Sequence, residues 1–126
     1  MSDKGTSMTE EIRPHYQLEA WKEAMALVRS VYEMSRHFPA DERYGLSAQM
    51  KRSAVSVPSN IAEGAARSGA REFAQFLNLA RGSLSELETQ LLIAVEIGYL
   101  DRDHAVFSSV DRVSRLLTGL HKSVKE

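Results

Sequence analysis

Apolar residues recur along this chain at alternating spacings of three and four, which places one helix face after another. From Leu18 two stripes run side by side, Trp21, Met25, Val28 and Tyr32 on one, and Ala24, Leu27, Val31 and Met34 on the next. Pro39 disfavours helical geometry at Phe38, so a first helix is predicted to end near His37, with Asp41 as a cap for the second helix. That second helix carries Leu46, Met50, Ala54, Val57 and Ile61. Pro58 lies inside it, where it removes a hydrogen bond and clashes with the preceding turn. Asn60, with Glu63 three residues later, resembles a capping box, so a kink or restart is expected there. Gly64 and Gly69 are read as bracketing a short connection.

The third segment has the clearest pattern. Phe73, Leu77, Ala80, Leu84, Leu87, Leu91 and Ala94 form an unbroken 4-3 repeat, and a seam of that period asks for a nearly aligned helical neighbour. Gly98 is a natural left-handed stop, with Tyr99 and Leu100 placed to pack back on the last turn. Asp101 is then expected to cap a fourth helix with the seam Val106, Val110, Val113, Leu117, Leu120 and Val124. No stretch shows the sustained alternation of a strand. Short connections between long helices imply antiparallel neighbours, so the expected fold is all-α, an up-down-up-down four-helix bundle over residues 16–126. Residues 1–15 are polar and aperiodic and read as a flexible arm. Beside the main seam of the third helix, Phe76, Leu79, Ile93 and Ile97 form a second apolar set interrupted by Ser83, Glu86 and Gln90. Such a set either widens the core-facing surface or meets another subunit.

A length of 126 residues allows one domain, and 43% hydrophobic with 26% charged residues is ordinary for a soluble globular protein. The absence of cysteine excludes disulfides, thiol catalysis and thiolate metal sites. No apolar run approaches the ~18 residues of a membrane span. The start, Met1 to Gly5, lacks the apolar core of a signal peptide. No membrane partner and a cytoplasmic location are therefore expected. The net charge is −1, but it is unevenly spread. Residues 43–81 hold 6 basic side chains against 2 acidic ones, a local +4.

Catalytic patterns are missing. A carboxylate-bridged metal pair in a bundle needs Glu-x-x-His on two helices, and none of Glu63, Glu86, Glu88 or Glu96 has a histidine three residues on. Gly82-Ser83 lies inside a helical repeat rather than on a strand-turn-helix elbow, and no glycine-rich phosphate loop is present. No metal, cofactor or enzymatic activity is expected. The informative segment is Gln49 to Gly64. At 100° per residue, Arg52, Ser56, Ser59, Asn60, Glu63 and Arg67 share one polar arc beside the apolar seam. The arc reads as a solvated face with an Arg67–Glu63 pair, as a structural motif in which Ser56, Ser59, Asn60 and Glu63 serve the backbone near Pro58, or as a recognition site. Lys51, Arg52, Arg67, Arg71 and Arg81, from the only basic third, are the candidate nucleic-acid contacts.

The run Gln49 to Gly64 resembles the signature of the small four-helix-bundle family encoded in intervening sequences of bacterial large-subunit ribosomal RNA genes. Further matching stretches are Ala20 to Met25, Phe38-Pro39 with Tyr44 to Leu46, Arg71 to Phe73, and Gly82 to Leu91. Together they span about residues 16–121. The resemblance implies an antiparallel four-helix bundle assembled into a ring-like homopentamer. It also implies kinship with the accessory protein of diversity-generating retroelements, which partners a reverse transcriptase and binds nucleic acid. Two functions are therefore expected as alternatives. One is a non-catalytic oligomeric module binding structured RNA or DNA as an accessory factor. The other is a structural or protein-interaction scaffold with no nucleic-acid role.

Overall fold

The 4-3 seams become four helices in the computed structural model, which describes residues 13–125. These are α1 (Glu19–Ser35), α2 (Leu46–Ala65), α3 (Ala70–Glu96) and α4 (Val106–Lys125), with no strand among the described residues. Each helix packs on its neighbour in the chain, and α1 also packs on α4, closing a four-membered ring. The core is drawn largely from the predicted seams, with Ala20 and Phe38 added and with Leu46, Phe73, Leu120 and Val124 only partly buried against it. Leu27 and Val31 from α1, Met50 and Ile61 from α2, Leu77, Leu87 and Leu91 from α3, and Val113 and Leu117 from α4 are all at most 1% exposed. At 27 residues α3 is the longest element, about 40 Å at the helical rise of 1.5 Å per residue.

Of the two stripes on α1, the one containing Ala24, Leu27, Val31 and Met34 is buried, whereas Met25 and Tyr32 on the other are exposed. The second set on α3 does not widen the core along its whole length. Phe76 is half-buried, but Leu79, Ile93 and Ile97 are 56%, 44% and 50% exposed.

Helix ends depart from the sequence-based expectation in instructive ways. Asp41 does not cap α2. The preceding 3-10 turn, Ala40–Glu42, instead brings Glu42 Oε1 within 3.0 Å of the Leu46 N–H, which donates to it. The other carboxylate oxygen accepts from the Tyr99 hydroxyl at 2.9 Å, tying the start of α2 to the turn after α3. That bond to Glu42, with desolvation and the charges of Glu42 and Asp41, holds the Tyr99 phenol above its usual pKa. At α4, the N–H of Val106 donates to His104 Nδ1 at 3.0 Å, so His104 rather than Asp101 supplies the side-chain acceptor. The end of α3 agrees with expectation. Gly98 has φ 88°, its N–H reaches Val95 O, and the Tyr99 N–H reaches Ala94 O at 2.8 Å, the paired bonds of a left-handed helix stop.

Pro58 does not break α2, which runs uninterrupted through it. Its ring is buried, so packing offsets part of the ~3 kcal/mol that an interior proline costs. Asn60 is correspondingly an interior residue and not a cap. Gly64 lies inside α2 rather than in the connection, and it is buried. A Cβ there would stand 2.7 Å from Phe76 Cβ and 3.0 Å from a ring carbon of Phe73, so only glycine allows α2 and α3 this approach. At the N-terminus, residues 1–12 of the expected arm lie outside the described residues. Pro14–Gln17 form a 3-10 turn packed on α1 and α2, with the His15 ring 4.9 Å from that of Trp21. Packed structure thus begins two residues before the expected boundary.

Candidate functional site

Helices α2 and α3 run antiparallel, as their contacts show: Gly64 lies against Phe73 and Phe76, and Ser56 against Ser83. This register turns two unrelated interruptions of the apolar pattern into one polar seam. Ser56 Oγ and Ser83 Oγ are 2.8 Å apart, and either hydroxyl can be the donor. Asn60 Nδ2 donates to the Ser56 carbonyl at 2.9 Å and to Ser56 Oγ at 3.0 Å, which fixes that side chain. Away from Gly64 the seam widens into a groove of about 350 Å³. Gln49, Arg52, Ser53 and Ser56 line it from α2, and Ser83, Glu86 and Gln90 from α3. Ser53 and Gln90 are each only 6% exposed. Gln90 Oε1 is buried and accepts no hydrogen bond from the described residues, and an unpaired buried acceptor typically costs about 1–3 kcal/mol.

The polar arc predicted by the helical periodicity is therefore divided. Ser56 and Asn60 belong to the α2–α3 seam. Ser59 and Glu63 face solvent, where Ser59 Oγ donates back to Val55 O at 2.8 Å and Glu63 pairs with Arg67 at 2.9 Å. Such an exposed pair contributes a few tenths of a kcal/mol, about 0.3–0.5.

The five basic candidates are likewise dispersed. Lys51 lies 5.0 Å above the Tyr32 ring, on the α1 side of α2. Arg52 lines the polar groove. Arg67, besides its bond to Glu63, stacks 4.8 Å from the Phe76 ring. Arg71 lies instead on the α3–α4 side, where it shares a hollow of about 390 Å³ with Gln75 and Asn78 of α3 and His121 and Lys125 of α4. No carboxylate among the described residues lines that hollow. Arg81 donates to Asn78 Oδ1 at 3.3 Å and also lines an adjoining hollow with Glu88 and Asp111. Its charge reaches His121. Partial burial, then Arg81, then Lys125 hold the imidazole below its ordinary value of 6.5. The structure thus gathers Arg71 with Lys125 and His121, places Arg81 in the adjoining hollow beside Glu88 and Asp111 but within electrostatic reach of His121, and separates these from Lys51, Arg52 and Arg67.

Lys125 and His121 are not legible as site residues in the sequence, because they lie forty or more positions beyond the basic third. Ser83, Glu86 and Gln90 show in the sequence only as interruptions of one apolar set, and that they face Ser53 and Ser56 across a groove is hidden until the register is known. Register is the available signal: two antiparallel helices joined at residues 66–69 pair positions whose numbers sum to a near-constant value. No group of three or more metal-ligating side chains occurs among the described residues. No described helix is long and apolar enough to cross a membrane.

Four helices in a closed ring, a polar seam between two of them and a basic hollow between two others define a small helical-bundle protein. Residues 16–119 match the family described as 23S rRNA-intervening sequence protein, and the chain belongs to it. A solved structure of a protein with unknown function, from the S23 ribosomal protein family of Bacteroides thetaiotaomicron VPI-5482, has the same fold. It superposes with a TM-score of 0.74 at 19% identity, over 82% of this chain and 95% of that one. No curated protein matches the chain. The family description links these proteins to an rRNA intervening sequence, and neither it nor the solved structure carries an enzyme name.

Proposed function

We propose that this protein is a non-catalytic binding module that works as an assembly of identical chains and holds RNA or DNA by its phosphates. The observation that carries the reading is the basic α3–α4 hollow, where Arg71 and Lys125 lie beside His121 and no carboxylate among the described residues lines it. The nearby positive charge of Arg81 is felt at the same imidazole. The proposed contacts are thus Arg71, Arg81 and Lys125, a narrower set than the five basic residues that cluster in the sequence. Repeated around a ring, three such side chains per chain focus a field even though each chain carries −1 overall. The exposed Leu79, Ile93 and Ile97 on α3 and Met25 and Tyr32 on α1 support self-association. The homopentameric number comes from the family resemblance.

The second reading, a scaffold without nucleic acid, is favoured by the near-neutral charge. Pulldown of the native assembly with sequencing of co-purifying nucleic acid separates the two. Enrichment of RNA or DNA over a charge-matched control supports the first. A nucleic-acid-free assembly that also fails to retain added duplex and single strands at low salt leaves the scaffold.

A further inference from the structure

The α2–α3 groove is chemically unlike the basic hollow. Its lips carry opposite charges on different helices, Arg52 on α2 and Glu86 on α3, both exposed. Neither takes part in the ion pairs formed among the described residues. Between them lie the buried Ser53, the Ser56–Ser83 hydroxyl pair and Gln90. Gln90 is 6% exposed and its Oε1 has no donor among the described residues. Buried amides are nearly always partnered, and this one borders an open polar groove.

We propose that the groove binds a small zwitterion, a free α-amino acid whose side chain ends in a primary amide. An anion would find Arg52 but meet the Glu86 carboxylate, and a cation would meet the reverse. A ligand carrying both charges answers both lips, its carboxylate toward Arg52 and its ammonium toward Glu86. A primary amide supplies the N–H that Gln90 Oε1 lacks and an acceptor for a serine hydroxyl. The groove volume of about 350 Å³ is at the small end of the ~300–1,000 Å³ typical of small-molecule sites. Nothing in this inference rests on nucleic-acid binding, because Arg71, Arg81 and Lys125 lie outside the groove.

The test is a titration of ¹⁵N-labelled protein with L-glutamine at millimolar concentration, tracking the side-chain amide signals of Gln90 and the backbone amides of Ser53, Ser56 and Ser83. The expected result is a saturable shift confined to these signals. Two single-charge analogues, one lacking the ammonium group and one lacking the carboxylate, should bind at least about tenfold more weakly, a loss of about 1.4 kcal/mol or more. Arg52→Glu and Glu86→Gln should each weaken binding similarly. Gln90→Leu should abolish it while circular dichroism shows an intact helical fold. No saturable shift, or equal shifts with all three compounds, overturns the proposal. Shifts at these residues that track protein concentration and ignore L-glutamine also overturn it, since they identify a contact between copies.

Discussion

Gly64 shows how much a single absent side chain decides. Its sequence context, a glycine after a capping-box-like Asn60–Glu63, reads as the end of a helix, because glycine is a poor helix former and a common stop. The structure uses it for close approach instead, and Phe76 occupies the space a methyl group would need. Gly64→Ala should therefore destabilise the fold by about 1–3 kcal/mol, the usual range for overpacking, although alanine has the better helix propensity. Urea denaturation checks this, and a stabilised variant would show that the helices can move apart at no cost. Asn60→Ala should cost about 1 kcal/mol through the lost bonds to Ser56, with no loss of nucleic-acid affinity in the same preparation. At His121 the sign of the pH effect is set by its lowered pKa. As pH falls through 6.5 the unfolded imidazole takes its proton first, so the folded state loses stability down to the lowered folded value. Above 6.5 the contribution is fully present. Comparing the stability–pH profiles of the wild type and His121→Gln should show a shallower decline in the variant below pH 6.5. Identical slopes would mean that neither burial nor the charges of Arg81 and Lys125 lower the His121 pKa on folding.

At the level of elements, the seams of α3 and α4 can be read directly, because apolar residues at 4-3 spacing have one sensible burial whatever the neighbours are. Leu87, at the centre of the longest seam, is fully buried. Leu87→Ala should cost about 2–5 kcal/mol, and a loss below ~1 kcal/mol in chemical denaturation would mean that another face is buried. Helix starts are less legible. The acceptor for α2 comes from Glu42, four residues before Leu46, and that for α4 from a histidine ring, His104. Neither residue type is the usual short polar cap, and both depend on turn geometry that spacing does not encode. Pro58 misleads for a related reason. The local cost of proline is visible in sequence, but the burial that offsets it is a property of the assembled bundle. The polar groove is invisible for the same cause, since Ser56 and Ser83 stand 27 positions apart and become neighbours only once α2 and α3 pair.

For the molecule as a whole, the fold is dictated by four seams, whereas the arrangement of charge is not. The five basic residues clustered in sequence separate onto different faces, and two of them acquire partners from α4. The proposed self-association through the exposed Leu79, Ile93 and Ile97 predicts that light scattering at micromolar concentration reports an assembly well above the 14.1 kDa monomer. A monomer would remove the ring from the proposed function. The central claim, phosphate contact through the α3–α4 hollow, is tested most directly by the salt dependence of labelled-duplex binding. Each phosphate neutralised on duplex DNA contributes a slope of about −0.9 in log K against log salt. Replacing Arg71 and Arg81 together with Glu should weaken every duplex sequence alike and flatten the slope by about 2 per chain engaged. The matched change of Lys51 and Arg52 to Glu should leave the slope as in the wild type. A slope that flattens only in the Lys51/Arg52 variant, or in both variants equally, would contradict the assignment of the α3–α4 hollow as the site.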